Sequence, residues 1–175
     1  MEELLRLLDD ARADERRAAR QQERWLTDVD REGASLAGTL IDLLERRSAV
    51  SIRTDGGAVH HGRVRLVGSD FCVLGTESGD VWLSLAGMTT VRPHPDERHG
   101  PASGDRAAID LRLAEALARI ATERPRLGLV LAGGDRVSGE LRSVGADVAT
   151  LRLDGEPPGL AYVALPSVRV VFRSG

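Results

Sequence analysis

The stretch VSIRTDGGAVHHGRVRLVGSDFCVL, residues 50–74, recurs as LGLVLAGGDRVSGELRSVGADVATL, residues 127–151, and this pairing decides how the chain is organised. At a constant offset, with no gap, Gly56, Gly57, Gly62, Arg65, Val67, Gly68, Asp70 and Leu74 meet Gly133, Gly134, Gly139, Arg142, Val144, Gly145, Asp147 and Leu151. Eight identities in 25 aligned positions exceed the roughly one or two that average residue usage gives by chance. Self-similarity at a fixed offset marks a duplicated structural unit.

Each copy opens with an amphipathic helix. Leu36, Leu40 and Leu43 stand at helical spacing and meet Leu113, Leu117 and Ile120 in the second copy. Ser35 and Asp105 are the N-cap residues of these helices, and Pro125 ends the second one. A strand follows, 50–54 or 127–131, closed by Gly56-Gly57 or Gly133-Gly134, which suit a tight two-residue hairpin turn. The next strand carries Gly62 or Gly139 in its interior, a sign of a sharp bend or of a close backbone approach. It ends in a turn at Gly68-Ser69-Asp70 or Gly145-Ala146-Asp147. A third strand (71–76; 148–153) and a closing hairpin (81–85 with 88–92; 161–165 with 168–172) complete the unit, and the second copy carries three extra residues in the turn between them.

The expected architecture is therefore α+β and mainly β: two tandem helix-plus-five-strand small barrels preceded by an N-terminal helix. The segments are an amphipathic helix over 1–31, a first unit over 32–95, a linker over 96–104 and a second unit over 105–175. Few short strands must protect their edges, by curling into a barrel or by pairing with a neighbour. The 1–31 segment carries a loose heptad (Leu4, Leu8, Ala11, Ala18, Trp25, Val29) broken by Glu15 and Gln22, which reads as a solvated helix or as a weak dimerising seam.

The run Gly57-Ala58-Val59-His60-His61-Gly62-Arg63-Val64, followed by Gly68-Ser69-Asp70-Phe71, resembles the first motif of the Sm-like family, which includes the bacterial Hfq proteins. The pairing of Val81-Trp82-Leu83-Ser84-Leu85 with Met88 and Val91 is similar to the last hairpin of the Sm-like C-terminal barrel in the RimP ribosome-maturation factor. The chain also resembles two-barrel proteins of GC-rich bacteria. The resemblance implies an SH3-like small barrel of a helix and five bent strands, assembly into rings, and RNA as a ligand. Where Sm proteins hold a base with an aspartate and an asparagine three residues apart, this chain has Ser69 and Cys72, then Ala146 and Ala149. The family's Arg-Gly step is Ser84-Leu85 and Ala164-Leu165. With neither lysine nor asparagine anywhere in the chain, the family's uridine pocket and the Lys-His signature of Hfq are both missing.

Composition narrows the chemistry further. All 24 basic residues are arginine, which suits phosphate recognition but follows more simply from GC-rich coding. Residues 48–95 balance Arg53, Arg63, Arg65 and Arg92 against four acids, and residues 125–175 carry six arginines against five acids. Such balance lacks the basic stripe typical of nucleic-acid binders, and five aromatic residues make a poor base-stacking platform. Trp82 and Tyr162, at matching positions, read as core or interface packing. His60 and His61 are adjacent on a strand and point to opposite faces, so they cannot share a metal ion. His94 and His99 lie in or beside the linker without partners at ligand spacing. Cys72, the single cysteine, reads as a small buried hydrophobe. No phosphate loop, nucleophile elbow or metalloprotease helix motif is present, and no catalytic residue, metal or cofactor is assigned. The acidic start Met-Glu-Glu-Leu-Leu-Arg and the lack of a long apolar run point to a cytoplasmic, membrane-free protein.

The functional expectation is a non-catalytic assembly or adaptor module acting through self-association, as a homo-oligomer, and through a protein partner. The alternative is an RNA-binding ring with non-standard contact loops. The loop residues that would make contacts are Arg63, Arg65, Ser69, Asp70, Arg142 and Asp147. Gly56, Gly57, Gly62 and Gly68, with Gly133, Gly134, Gly139 and Gly145, are bends and turns of the frame.

Overall fold

A computed structural model describes residues 35–95 and 107–174. The expected N-terminal helix over 1–31, the linker 96–104, His99 and the Asp105 cap lie outside the described residues. From Leu36 onward the described residues form one compact unit.

Helix α1 (Leu36–Glu45) buries Leu40, Leu43 and Leu44. It ends in a left-handed residue, Arg47 at φ 54°, where Ser48 N–H reaches Leu43 O at 3.1 Å. Helix α2 (Leu113–Ile120) buries Leu113, Ala116 and Leu117 and is followed by a short turn that ends at Arg124, φ 51°. Arg47 and Arg124 are equivalent positions in the two copies. Glu115 accepts the N–H of Arg112 at 2.8 Å and so caps the start of α2.

Ten strands follow: β1 (Ala49–Thr54), β2 (Val59–Val67), β3 (Phe71–Thr76), β4 (Gly79–Ser84), β5 (Met88–Pro93), β6 (Arg126–Leu131), β7 (Arg136–Val144), β8 (Val148–Leu153), β9 (Leu160–Ala164) and β10 (Val168–Arg173). The expectation of two tandem barrels is corrected here. All ten strands form one antiparallel sheet in the order β5-β1-β2-β3-β4-β10-β6-β7-β8-β9. The joint is between the copies: Val81, Trp82 and Leu83 of β4 pair with Phe172, Val171 and Val170 of β10. The physical reason is the demand of an open strand edge for partners. The edge of β4 finds its partner in the other copy instead of within its own.

The core follows the joint. One cluster gathers Leu40, Ile52, Val64, Leu74 and Leu83 and takes in Val170 from the second copy. The other gathers Leu117, Leu129, Leu141, Leu151 and Val168 and takes in Phe71 and Val73 from the first. Each half therefore completes its interior with side chains of the other.

Two of the repeated identities have local causes. Arg65 and Arg142 are the extra residues at register shifts, between Val64 and Leu66 against β3 and between Leu141 and Ser143 against β8. At Gly62 a Cβ would stand 2.2 Å from the Gly75 carbonyl oxygen, and at Gly139 2.4 Å from that of Arg152. Close backbone approach excludes any side chain at these two positions.

Candidate functional site

Of the expected contact residues, the structure brings three together. Ser69, Asp70 and Asp147 line a groove of about 700 Å³ that runs past Ser84–Ala86, the start of α2 and Leu165-Pro166. Asp70 is committed within it: its Oδ1 accepts the Leu113 N–H at 2.7 Å, 43 residues away. Asp70 does lie in the turn expected from the sequence, but its side chain is spent on the second copy's helix. It accepts the first N–H of the second copy's helix beside the Glu115 cap, and Ser69 N–H to Leu111 O at 2.9 Å adds a backbone bond between the two segments. Asp147, its equivalent, makes no such side-chain bond among the described residues.

The arginines of that set are elsewhere and separately engaged. Arg63 donates to the Arg47 carbonyl oxygen, Arg65 pairs with Asp80 at 3.2 Å, and Arg142 holds Glu140 at 2.7 Å. The hydrogen bond from Arg142 draws the Glu140 carboxyl below its ordinary pKa. Cys72 is fully buried, and burial pushes its thiol up to about 12.

Six of the eight framework glycines lie in turns, while Gly62 and Gly139 lie within β2 and β7. Thr54 N–H bonds Ala58 O at 2.9 Å and Leu131 N–H bonds Asp135 O at 2.8 Å. Each hairpin thus encloses three residues, not the two expected, with Gly57 at φ 83° and Gly134 at φ 95° closing the loop. The two turns meet: a Cβ on Gly56 would stand 3.4 Å from the Cα of Gly134.

Two features lie outside the expected set. The first is the pair of sheet ends, β5 and β9. Leu153 N–H donates to Gly159 O at 2.9 Å and Leu165 N–H to Asp147 O at 2.8 Å. Bonded and non-bonded pairs alternate along an antiparallel ladder, so Ala161 and Val163 spend their backbone groups on β8 while Leu160 and Tyr162 turn theirs outward. By the same alternation, with His94 N–H on Ala49 O at 2.9 Å, Val91 turns its backbone groups away from β1. Strand β9 (LAYVA) carries no charge and no proline, and its Leu160 and Tyr162 are 57% and 72% exposed. Trp82, the counterpart of Tyr162, is partly buried against the second copy's core and lies 5.8 Å from Phe71 between ring centroids.

The second feature is a cavity of about 870 Å³ at the seam between the copies. Its walls include His60 and Trp82 from one copy and Leu127, Val130, Arg136 and Phe172 from the other. His60 Nε2 is buried and has no hydrogen-bond partner among the described residues. Desolvation first, then the neighbouring charges of His61 and Arg136, hold its pKa below the ordinary value. Sequence reasoning singled out His60 but missed Arg136. The signal was the mismatch between copies: at the repeat offset His60 falls on Val137, and Arg136 on Val59.

Among the described residues no helix is long and apolar enough to cross a membrane. Comparison with protein-family models, with curated proteins and with solved structures finds no match, so the Sm-like resemblance rests on the residues quoted for it.

Proposed function

We propose that this chain is a non-catalytic assembly module that associates head to tail with copies of itself through its two sheet ends and presents the resulting surface to a protein partner. The observation that carries the reading is the internal β4–β10 joint together with the outer edge of β9, which has no strand partner among the described residues. Strand β9 is the repeat equivalent of β4, and β5 of β10, so the two outer edges of the described sheet are the two halves of a joint the chain already makes once. Carried over at the repeat offset, Trp82 facing Val171 becomes Tyr162 facing Val91 of a second copy. Both of those residues turn their backbone groups outward, as the pairing needs. An uncharged, apolar edge in a monomer is a template for association. A contact between different patches on two copies closes into a ring if its rotation allows and extends otherwise.

The Arg63, Arg65 and Arg142 side chains are each engaged locally, which weighs against the RNA alternative. Sedimentation velocity over a range of concentrations tests the proposal, with the Tyr162→Pro variant beside the natural chain. Proline at 162 removes an outward N–H and leaves the β8–β9 bonds intact. The natural chain should sediment as an oligomer and the variant as a monomer with unchanged circular dichroism. A monomeric natural chain, or an unaffected variant, would contradict the reading. Submicromolar binding of a labelled RNA that weakens steeply with salt would instead favour the alternative.

A further inference from the structure

We propose that the seam cavity is a binding site for a small organic anion, an aryl or alkyl body carrying one carboxylate or phosphate. Its volume, about 870 Å³, falls in the range of small-molecule sites, which are mostly apolar with a few convergent polar groups. Trp82, Leu127, Val130 and Phe172 supply the apolar walls.

The polar groups are unbalanced in one direction. Of the charged residues on the walls, Arg169 is held by Asp55 at 2.7 Å and Asp80 by Arg65 at 3.2 Å. Arg136 and Arg173 have no acidic partner among the described residues. A guanidinium offers a planar fork that fits carboxylate or phosphate. His60 adds Nε2, a buried ring nitrogen with no hydrogen-bond partner among the described residues, whereas buried polar atoms in folded proteins are nearly always bonded. In the neutral ring, Nε2–H donates to an anion seated against Arg136.

The duplication sharpens the assignment. The repeat itself places apolar residues here: His60 has Val137 as its counterpart, and Arg136 has Val59. In the head-to-tail joint between copies, the equivalent seam would bring Val137 against Val59, which is 39% exposed in the single chain. The second seam is thus dry and the internal one polar. The divergence has placed a histidine and an arginine at the one seam the chain builds within itself.

Benzoate and phenyl phosphate, with inorganic phosphate as a head-group control, should be titrated while the His60 side-chain NMR signals and the binding heat are followed. One aryl anion should bind once per chain and shift the His60 signals, and the preferred probe identifies the head group. Arg136→Gln should weaken it at least tenfold, and His60→Val, which installs the second copy's residue in a fold that already accepts it, should abolish the binding heat. Arg142→Gln, away from the cavity, should bind as the natural chain does. Tyr162→Pro should also bind normally, which separates this site from the assembly. No saturable binding of either aryl probe up to millimolar concentration, or equal affinity in Arg136→Gln, would overturn the proposal.

Discussion

Leu74 and Leu151 are equivalent residues, each with 0% exposure. Leu74 stands on β3 between Val64 and Val81, and Leu151 on β8 between Leu141 and Ala161. Truncating either to alanine removes apolar contact and leaves a void that the closed sheet face cannot collapse to fill. Such changes cost about 2–5 kcal/mol, and for a chain of this size each kcal/mol lowers the melting temperature by about 2–4 °C. The expected drop is therefore about 4–20 °C for each variant. The informative part is which transition moves. Because β4 and β10 join the copies and each core cluster borrows from the other half, calorimetry should show one transition, and Leu74→Ala and Leu151→Ala should both shift it. Urea unfolding should show unchanged slopes, as expected when only stability changes. Two resolved transitions, with each variant moving only one, would refute the single-sheet reasoning. So would a cost under about 1 kcal/mol at either site.

Other consequences are equally specific. Asp70→Ala should destabilise the chain by about 0.5–2 kcal/mol through loss of its bond to the first N–H of α2, while Asp147→Ala should stay within about 0.5 kcal/mol, both read from urea midpoints. Gly139→Ala should cost about 1–3 kcal/mol or more, because the added methyl meets a carbonyl oxygen that cannot rotate away; equal stability in the alanine variant would contradict the close approach. The Cys72 thiol should resist Ellman's reagent in the folded protein and react on unfolding. Its folded pKa is raised from 9.0 to about 12, so the native state favours the neutral thiol. That contribution is complete below pH 9 and is lost as pH rises from 9 toward 12. The chain has no lysine, which leaves this window sparsely populated by other groups. Cys72→Ala should flatten the alkaline decline in urea midpoint, and an unchanged decline would contradict the assignment.

The positions of the strands were legible because their cause is local. Alternating apolar residues between Gly-rich turns at 56–57, 68, 133–134 and 145 set strand periods that any fold must respect. The joining of the copies was not legible. Val81-Trp82-Leu83 reads as a strand whether its outer edge meets its own copy or β10, and nothing in the pattern names the partner. The same limit explains Asp70, whose Gly-Ser-Asp context reads as a turn but does not name Leu113 as the partner of its side chain. Gly56-Gly57 announced a turn but not its length, which depends on Thr54 and Ala58 closing around it. Arg65 and Arg142 looked like preserved contacts and are preserved bulge residues. The seam cavity was hidden for a different reason. Its chemistry lies in positions where the copies differ, His60 against Val137 and Arg136 against Val59, and a search for identities passes over them.

The central claim, that the two sheet ends of separate copies are partners, is tested most directly by cross-linking. Single-cysteine chains carrying Val91→Cys or Tyr162→Cys, both with Cys72→Ala, would be oxidised alone and mixed and then run without reductant. Facing residues in a bonded antiparallel pair stand about 5.5 Å apart at Cα, within reach of a disulfide. The mixture should give a covalent dimer that neither variant gives alone, and a chain carrying both cysteines should give a ladder of linked copies. Dimers from Tyr162→Cys alone, or none from the mixture, would contradict head-to-tail pairing of β9 with β5.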